Sequence, residues 1–344
     1  MENQALDGGS GAARVATAGR AEGDVMIKVE NLVKTFGVRN VVDGISFGVE
    51  RGEVLGFIGP NGAGKSTTMR IITGFYPPTS GKVTIGGHDI VDDPIGAKTI
   101  MGYLPENAPS YSDMTVHGFL SFAAEIRGMR GSQKKQAVHR AVDTCMLNGV
   151  LYQTIDTLSK GFKHRTCLAQ SIIHDPDVLI LDEPTDGLDP NQKHEVRGLI
   201  KRMGEHKVII FSTHILEEVE EACTRVIIID RGRIVANDTP GNLKLRSELA
   251  GAVRLHVNGT PAQVLGQHLS ALAKRTEIIS DDGTHVVIRA YPHHPGENSA
   301  FAGQVEALAQ REKWTLDETH IEEGRLDEVF RAITLPDTVN PVIH

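Results

Sequence analysis

Gly59-Pro60-Asn61-Gly62-Ala63-Gly64-Lys65-Ser66-Thr67 decides the fold of this 344-residue chain. The stretch fits G-x-x-x-x-G-K-[ST], a loop whose backbone wraps phosphate. Val54-Leu55-Gly56-Phe57-Ile58 before it reads as a short buried strand, and Thr67-Thr68-Met69-Arg70-Ile71-Ile72 after it reads as the opening of a helix. The glycines let N–H groups converge on an anion without Cβ obstruction. The helix N-terminus adds a partial positive charge. Lys65 is then placed for the β- and γ-phosphates, and the Ser66 hydroxyl for magnesium.

A second anchor lies downstream. Val178-Leu179-Ile180-Leu181-Asp182-Glu183-Pro184 is a continuous apolar strand ending in two carboxylates, the pattern of a parallel strand buried on both faces. Asp182 emerges at the strand's carboxyl end, where ligands bind in open α/β sheets. Val208-Ile209-Ile210-Phe211-Ser212-Thr213-His214 repeats the design, and an acidic helix over 216–223 and a strand over 226–229 follow. Upstream, Met26–Glu30 alternates as a strand. Val41-Val42 and Ile45–Val49 read as two strands parted by an Asp43-Gly44 turn. Strands over 83–85 and 100–104 follow, so antiparallel strands flank the loop on both sides. Residues 115–148 turn helical, with Thr115 as N-cap, and Ser159 caps a further helix through Ile173.

At this length two domains are expected. A formal net charge of -8 argues against a nucleic-acid binder that relies on bulk attraction. The three cysteines have neither disulfide-framework nor zinc spacing, which points to a reducing compartment. His293-His294 reads as loop surface rather than a metal site. No apolar run approaches the ~18–20 residues of a membrane-spanning helix. Residues 1–24, rich in Gly and Ala with no apolar block, read as a disordered tail rather than a signal peptide. The expectation is a chain that does not cross a membrane by itself.

From Val25 to Leu245 the chain resembles the ATP-binding subunit of an ABC transporter. The resemblance rests on order: phosphate loop, helical insertion, Leu158-Ser159-Lys160-Gly161-Phe162 as signature, Leu179-Ile180-Leu181-Asp182-Glu183-Pro184, then Ser212-Thr213-His214. It implies an α/β fold: a P-loop NTPase (RecA-like) core, an antiparallel β subdomain and a helical subdomain about 106–174. ATP and Mg2+ are the implied cofactors. Gly59, Asn61, Gly62, Ala63, Gly64, Lys65, Ser66 and Thr67 would hold the phosphates, with Phe36 stacking on adenine. Ser66, Asp182 and Glu106 would serve the metal. Glu183 would polarise the attacking water, with His214 at the γ-phosphate and Lys65 completing the catalytic set. Asp189, in Asp186-Gly187-Leu188-Asp189, matches the loop that communicates between two sites. Ser159 and Gly161 would reach the nucleotide of a second copy, so the resemblance implies a homodimer, or paired cassettes, with composite ATP sites.

Two departures stand out. Lys160 and Phe162 interrupt the usual L-S-G-G-Q, which puts the contacts across the dimer in question. Glu106 replaces the usual glutamine in Tyr103-Leu104-Pro105-Glu106-Asn107. Both resemble the type-2 exporter branch, including gliding-motility and drug-resistance ATPases. After Pro240 a β-α-β-β-α-β order over 250–335 reads as a small α+β ferredoxin-like unit, with a helix over 325–334 and a tail at 336–344. That topology assigns no role. The implied function is an ATPase at the cytoplasmic face of the membrane, peripheral, powering export through a separate transmembrane permease, with no nucleic-acid partner. The alternative is a soluble non-transport ABC ATPase acting on a macromolecular complex. The stretch between Lys65 and Ser159 is too short for the long coiled coils of DNA-repair members.

Overall fold

The alternation at Met26–Glu30 runs further than expected. In the computed structural model, which describes residues 25–106, 111–294 and 298–334, β1 spans Val25–Phe36 and β2 spans Arg39–Glu50. The tails expected at 1–24 and 336–344 lie outside these residues. The turn expected at Asp43-Gly44 is not a turn. β2 passes through it as one strand, and the chain reverses at Gly37-Val38 instead. Gly44 takes φ +69°, and the pairing there jumps from Leu32↔Ile45 to Val33↔Asp43. A glycine with positive φ serves a bulge as well as a hairpin, so the dipeptide alone cannot tell them apart.

The β3 strand (Val54–Ile58) leads into the loop and α1 (Lys65–Ile72). β4 (Ser80–Ile85) and β5 (His88–Asp89) join the first two strands in an antiparallel sheet of order β2-β1-β4-β5. α2 (Pro94–Thr99), β6 (Met101–Leu104), α3 (Val116–Ile126), α4 (Gly131–Thr144) and α5 (Lys160–Ile172) follow. Thr115 caps α3 by accepting from the Gly118 amide, and Ser159 caps α5 by accepting from Phe162. Next come β7 (Val178–Asp182), α6 (Pro190–Gly204), β8 (Val208–Thr213), α7 (Leu216–Ala222), β9 (Arg225–Asp230), β10 (Arg233–Asp238) and α8 (Pro240–Lys244).

The central sheet has the order β10-β9-β3-β8-β7-β6, parallel except for β10 at its edge. Every residue of β3, β7 and β8 is buried, as a parallel strand covered on both faces requires. One core packs this sheet on the antiparallel sheet, through Phe57, Met69, Ile180 and Val29. A second packs it on α3–α6, through Leu120, Leu168, Leu181 and Phe211. β3 and β7 are not neighbours, because β8 lies between them. The register sets Ile58 opposite Thr213 and Asp182 opposite Ser212, so the tip of β8 stands between the loop and the acidic strand end.

β11 (Val253–Asn258), α9 (Ala262–Leu269), β12 (Arg275–Asp281), β13 (His285–Tyr291), α10 (Asn298–Arg311) and β14 (Thr315–Ile321) build a third sheet, antiparallel, of order β12-β13-β11-β14. This is the ferredoxin-like β-α-β-β-α-β arrangement. The helix expected over 262–274 stops at Leu269, since Lys274 already donates its amide to Tyr291 at the head of the next strand. The last helix, α11 (Leu326–Ile333), leaves this unit and packs on α8. Leu326 is buried there with Leu243, Val219 and Val226. A buried leucine of this kind contributes about 1.5–3 kcal/mol, so α11 is tied to α7, α8 and β9.

Candidate nucleotide site

The loop between β3 and α1 is shaped by what cannot fit. A side chain at Gly59 would strike the Ile229 carbonyl, and one at Gly64, φ +108°, would meet the Val41 carbonyl at 2.6 Å. Lys65 is 7% exposed, and its Nζ donates to the carbonyls of Gly59 (2.7 Å) and Pro60 (3.2 Å). Burial pulls its pKa below the ordinary lysine range, against the opposing pull of Glu183, Asp182 and Glu106.

Asp182 is fully buried at the tip of β7. Its Oδ1 accepts from Ser66 Oγ at 3.2 Å and from Ser212 Oγ at 2.5 Å. Its Oδ2 is buried with no protein partner. An orphaned carboxylate oxygen beside a hydroxyl is a hard-oxygen donor pair, which suits a small divalent cation sharing its shell with phosphate and water. Among the described residues no cluster of three or more His, Cys, Asp or Glu is arranged to hold a metal.

Glu183, the next residue, has φ +50°, a left-handed backbone that a glutamate adopts only when its surroundings force it. Its amide donates to Ser212 Oγ at 3.1 Å and to the Ser212 carbonyl at 3.2 Å. These bonds at the tip of β8 hold the strained turn. The turn aims the carboxylate at His214, whose Nδ1 lies 3.0 Å from Oε2. Burial pushes the Glu183 carboxyl pKa up, with His214 and Lys65 opposing.

Asn61, Gly62, Gly64, Lys65, Ser66, Thr67, Glu106, Glu183, Asp186 and His214, together with Val41, line one cavity of about 390 Å3. Gly59 and Ala63 are not part of that lining. Phe36 lies outside that lining, at the end of β1, 46% exposed and edge-on to Tyr76 at 5.8 Å. Ser159 and Gly161, at the N-terminus of α5, and Asp189, which caps α6, also stand outside it.

Several contributors escaped the sequence reading. Tyr76 packs against Phe36, and Asp186 reaches the cavity from a loop singled out for Asp189. Ser212 was available as a signal: a hydroxyl one residue before the end of a buried strand needs a partner. Glu218 was hidden in an acidic helix. It is fully buried, and its two oxygens accept from Thr185, two residues after Glu183, and from Thr213 at 2.8 Å, one residue before His214. Lys193 approaches at 3.8 Å. This knot fixes α7 to the turns that carry Glu183 and His214. Glu218→Ala strands two buried hydroxyls and is expected to cost about 3 kcal/mol, read as a fall in the urea midpoint. An unchanged midpoint would remove the knot as a structural tie.

Residues 42–186 match the family model described as ABC transporter. The linearmycin resistance ATP-binding protein of Bacillus subtilis is 35% identical over 235 residues, 68% of this chain and 76% of that protein. The Nod factor export ATP-binding protein I of Paraburkholderia xenovorans is 35% identical over 275 residues, 79% of this chain and 89% of that protein. The chain belongs to the ABC transporter family. It is an ATP-binding cassette of that family and an ATPase. A probable multidrug ABC transporter ATP-binding protein of Escherichia coli is 37% identical, but the cassette spans only 39% of its length. Among solved structures, an ATP-binding subunit of an ABC transporter superposes with TM-score 0.59 at 30% identity, over 64% of this chain and 92% of that one. A dimeric cassette in a post-hydrolysis state with ADP and Pi shares the fold at TM-score 0.58 and 21% identity, over 62% of this chain and 98% of that one.

Proposed function

We propose that the cassette binds MgATP at two composite sites in a head-to-tail homodimer, hydrolyses it, and drives export through a separate transmembrane permease. One observation carries this reading. Lys65, Ser66, Glu183 and His214 converge on one cavity, with Asp182 bonded to Ser66 beside it, whereas Ser159 and Gly161 stand outside that cavity in the same chain. A second copy can supply them. The dipole at the α5 N-terminus suits an anion.

Within the site, Lys65 and the loop amides bind the β- and γ-phosphates. Asp182 and Ser66 would hold magnesium, which would supply charge neutralisation at the phosphoryl oxygens. Glu183 takes the proton of the attacking water. His214 orients Glu183 and faces the γ-phosphate from the same side. Phe36, with Tyr76 against its edge, offers a ring face for adenine. Glu106 adds an oxygen acceptor where an amide is usual, and the permease contact runs through its loop and the helices beyond.

Export rather than import follows from the relatives, which are named for linearmycin resistance and Nod factor export. None of the described helices is long and apolar enough to cross a membrane; in this reading the cassette lies peripherally on the cytoplasmic face and works on a permease carried by another chain. The test is purification of the tagged full chain from detergent-solubilised membranes. Export coupling is supported by a co-purifying polytopic membrane protein that raises ATP turnover. A chain that instead sediments with a ribosome-sized or other soluble complex, with no membrane protein, would favour the non-transport ATPase.

A further inference from the structure

Lys160 interrupts the signature where a glycine is usual, and its side chain turns back into its own chain. The ammonium lies 3.0 Å from Asp186 Oδ2. Its outer end lies over Gly187, φ +67°, with Nζ, Cε and Cδ within 2.5 Å of where a Cβ would stand. One residue on, Gly161 is packed against the Gln192 carboxamide, whose Oε1 lies 2.2 Å from where a Cβ would stand. Gln192 and Asp189 are the two halves of the capping box that opens α6. The signature turn and residues 186–192 are therefore clamped together at two points. Asp186 also lines the nucleotide cavity with Lys65, Glu183 and His214. One carboxylate thus faces the phosphate site on one side and the signature lysine on the other.

We propose that Lys160 is a positioning residue of the nucleotide site in its own chain: it neutralises Asp186 and holds residues 186–189 beside the phosphate loop. Resting on the composite-site reading above, this means that the signature serving the partner's nucleotide also sets the charge of its own chain's site. The cavity already carries Glu106 and Glu183, with Asp182 behind them, against the single lysine Lys65. An unneutralised fourth carboxylate would repel the incoming triphosphate. The groups acting on Asp186 are Lys160, His214 and His164. His164, on α5, is 7% exposed with both ring nitrogens unpartnered, and burial keeps it neutral. Lys160, the group hydrogen-bonded to Asp186, supplies the largest share of the neutralisation, ahead of His214. Both partners of the pair are more than half exposed (65% and 52%), so its contribution to folding stability is small, and its effect is read in ligand binding.

The experiment measures the dissociation constant and KM for MgATP on the full chain. Lys160→Met is expected to raise both by about threefold to tenfold with a smaller change in kcat, the difference shrinking at high salt. Lys160→Arg, which keeps the charge, should stay within about twofold of the native chain. In an Asp186→Asn background, Lys160→Met should add no further loss, because the charge it screens is gone. An unchanged MgATP affinity in Lys160→Met, or the same loss with and without Asp186, overturns the inference. Lys65→Ala run in parallel separates the two readings. If it abolishes binding while Lys160→Met has no effect, only this inference fails. If it binds MgATP undiminished, the nucleotide-site reading fails and takes this inference with it.

Discussion

Glu183→Gln lowers ATP turnover by about 10²–10⁴-fold, the range a positioned general base contributes, while MgATP affinity stays near that of the native chain. The amide is isosteric and can accept one hydrogen bond from His214, so the left-handed turn at φ +50° and its bonds to Ser212 are kept. What is lost is the capacity to take a proton from water. Binding without hydrolysis should then trap the closed state, and MgATP should drive the variant into stable dimers seen by sedimentation. The acid limb of the native pH profile gives an independent check. Burial raises the Glu183 pKa, so the base is protonated at a higher pH than an exposed glutamate. Turnover must therefore fall as pH drops through a value above the ordinary glutamate range. That limb should vanish from the residual activity of Glu183→Gln. Undiminished turnover in the variant would remove Glu183 as the base, and a monomer at saturating MgATP would remove the composite site.

The residues that made the site legible are those whose chemistry requires a fixed spacing. A phosphate cradle needs glycines and a lysine in a short run, and a buried parallel strand needs consecutive apolar residues before its functional tip, so β3, β7 and β8 could be placed from sequence. Contacts set by tertiary register were not legible. Ser212 meets Asp182 only because β8 lies between β3 and β7, an order the chain does not announce. Glu218 looks like any solvated acid on a helix until α7 turns it inward on Thr185 and Thr213. Lys160 was legible as a departure, but its direction was not. Its place in the signature points to a second copy, whereas in the structure it bridges to Asp186 in the same chain. The Asp43-Gly44 reading failed for a related reason, since the glycine's freedom was real but was used for a bulge within β2.

Lys65→Ala weakens MgATP binding by about 10²–10⁴-fold, as expected for losing two charge-assisted hydrogen bonds of about 1.5–3 kcal/mol each. Lys65 is the lysine of a cavity otherwise edged by Glu106, Glu183 and Asp186, so its removal also leaves those carboxylates facing the triphosphate. The loss is expected in the isolated chain, before any second copy arrives. Ser159→Asp makes the informative contrast. Aspartate caps a helix as well as serine does and suits the α5 N-terminus electrostatically, so the fold is kept. Yet it places a carboxylate where the partner's γ-phosphate must dock. Ser159→Asp should leave MgATP affinity of the monomer unchanged and abolish the dimers that Glu183→Gln otherwise accumulates, whereas Lys65→Ala abolishes both. Equal losses of monomer affinity in the two variants would put the signature in the same chain's site, against its position outside the cavity at the head of α5. Dimers that persist in the Ser159→Asp, Glu183→Gln double variant would mean that the α5 N-terminus does not meet the nucleotide at all, and that the two copies are joined by some other face.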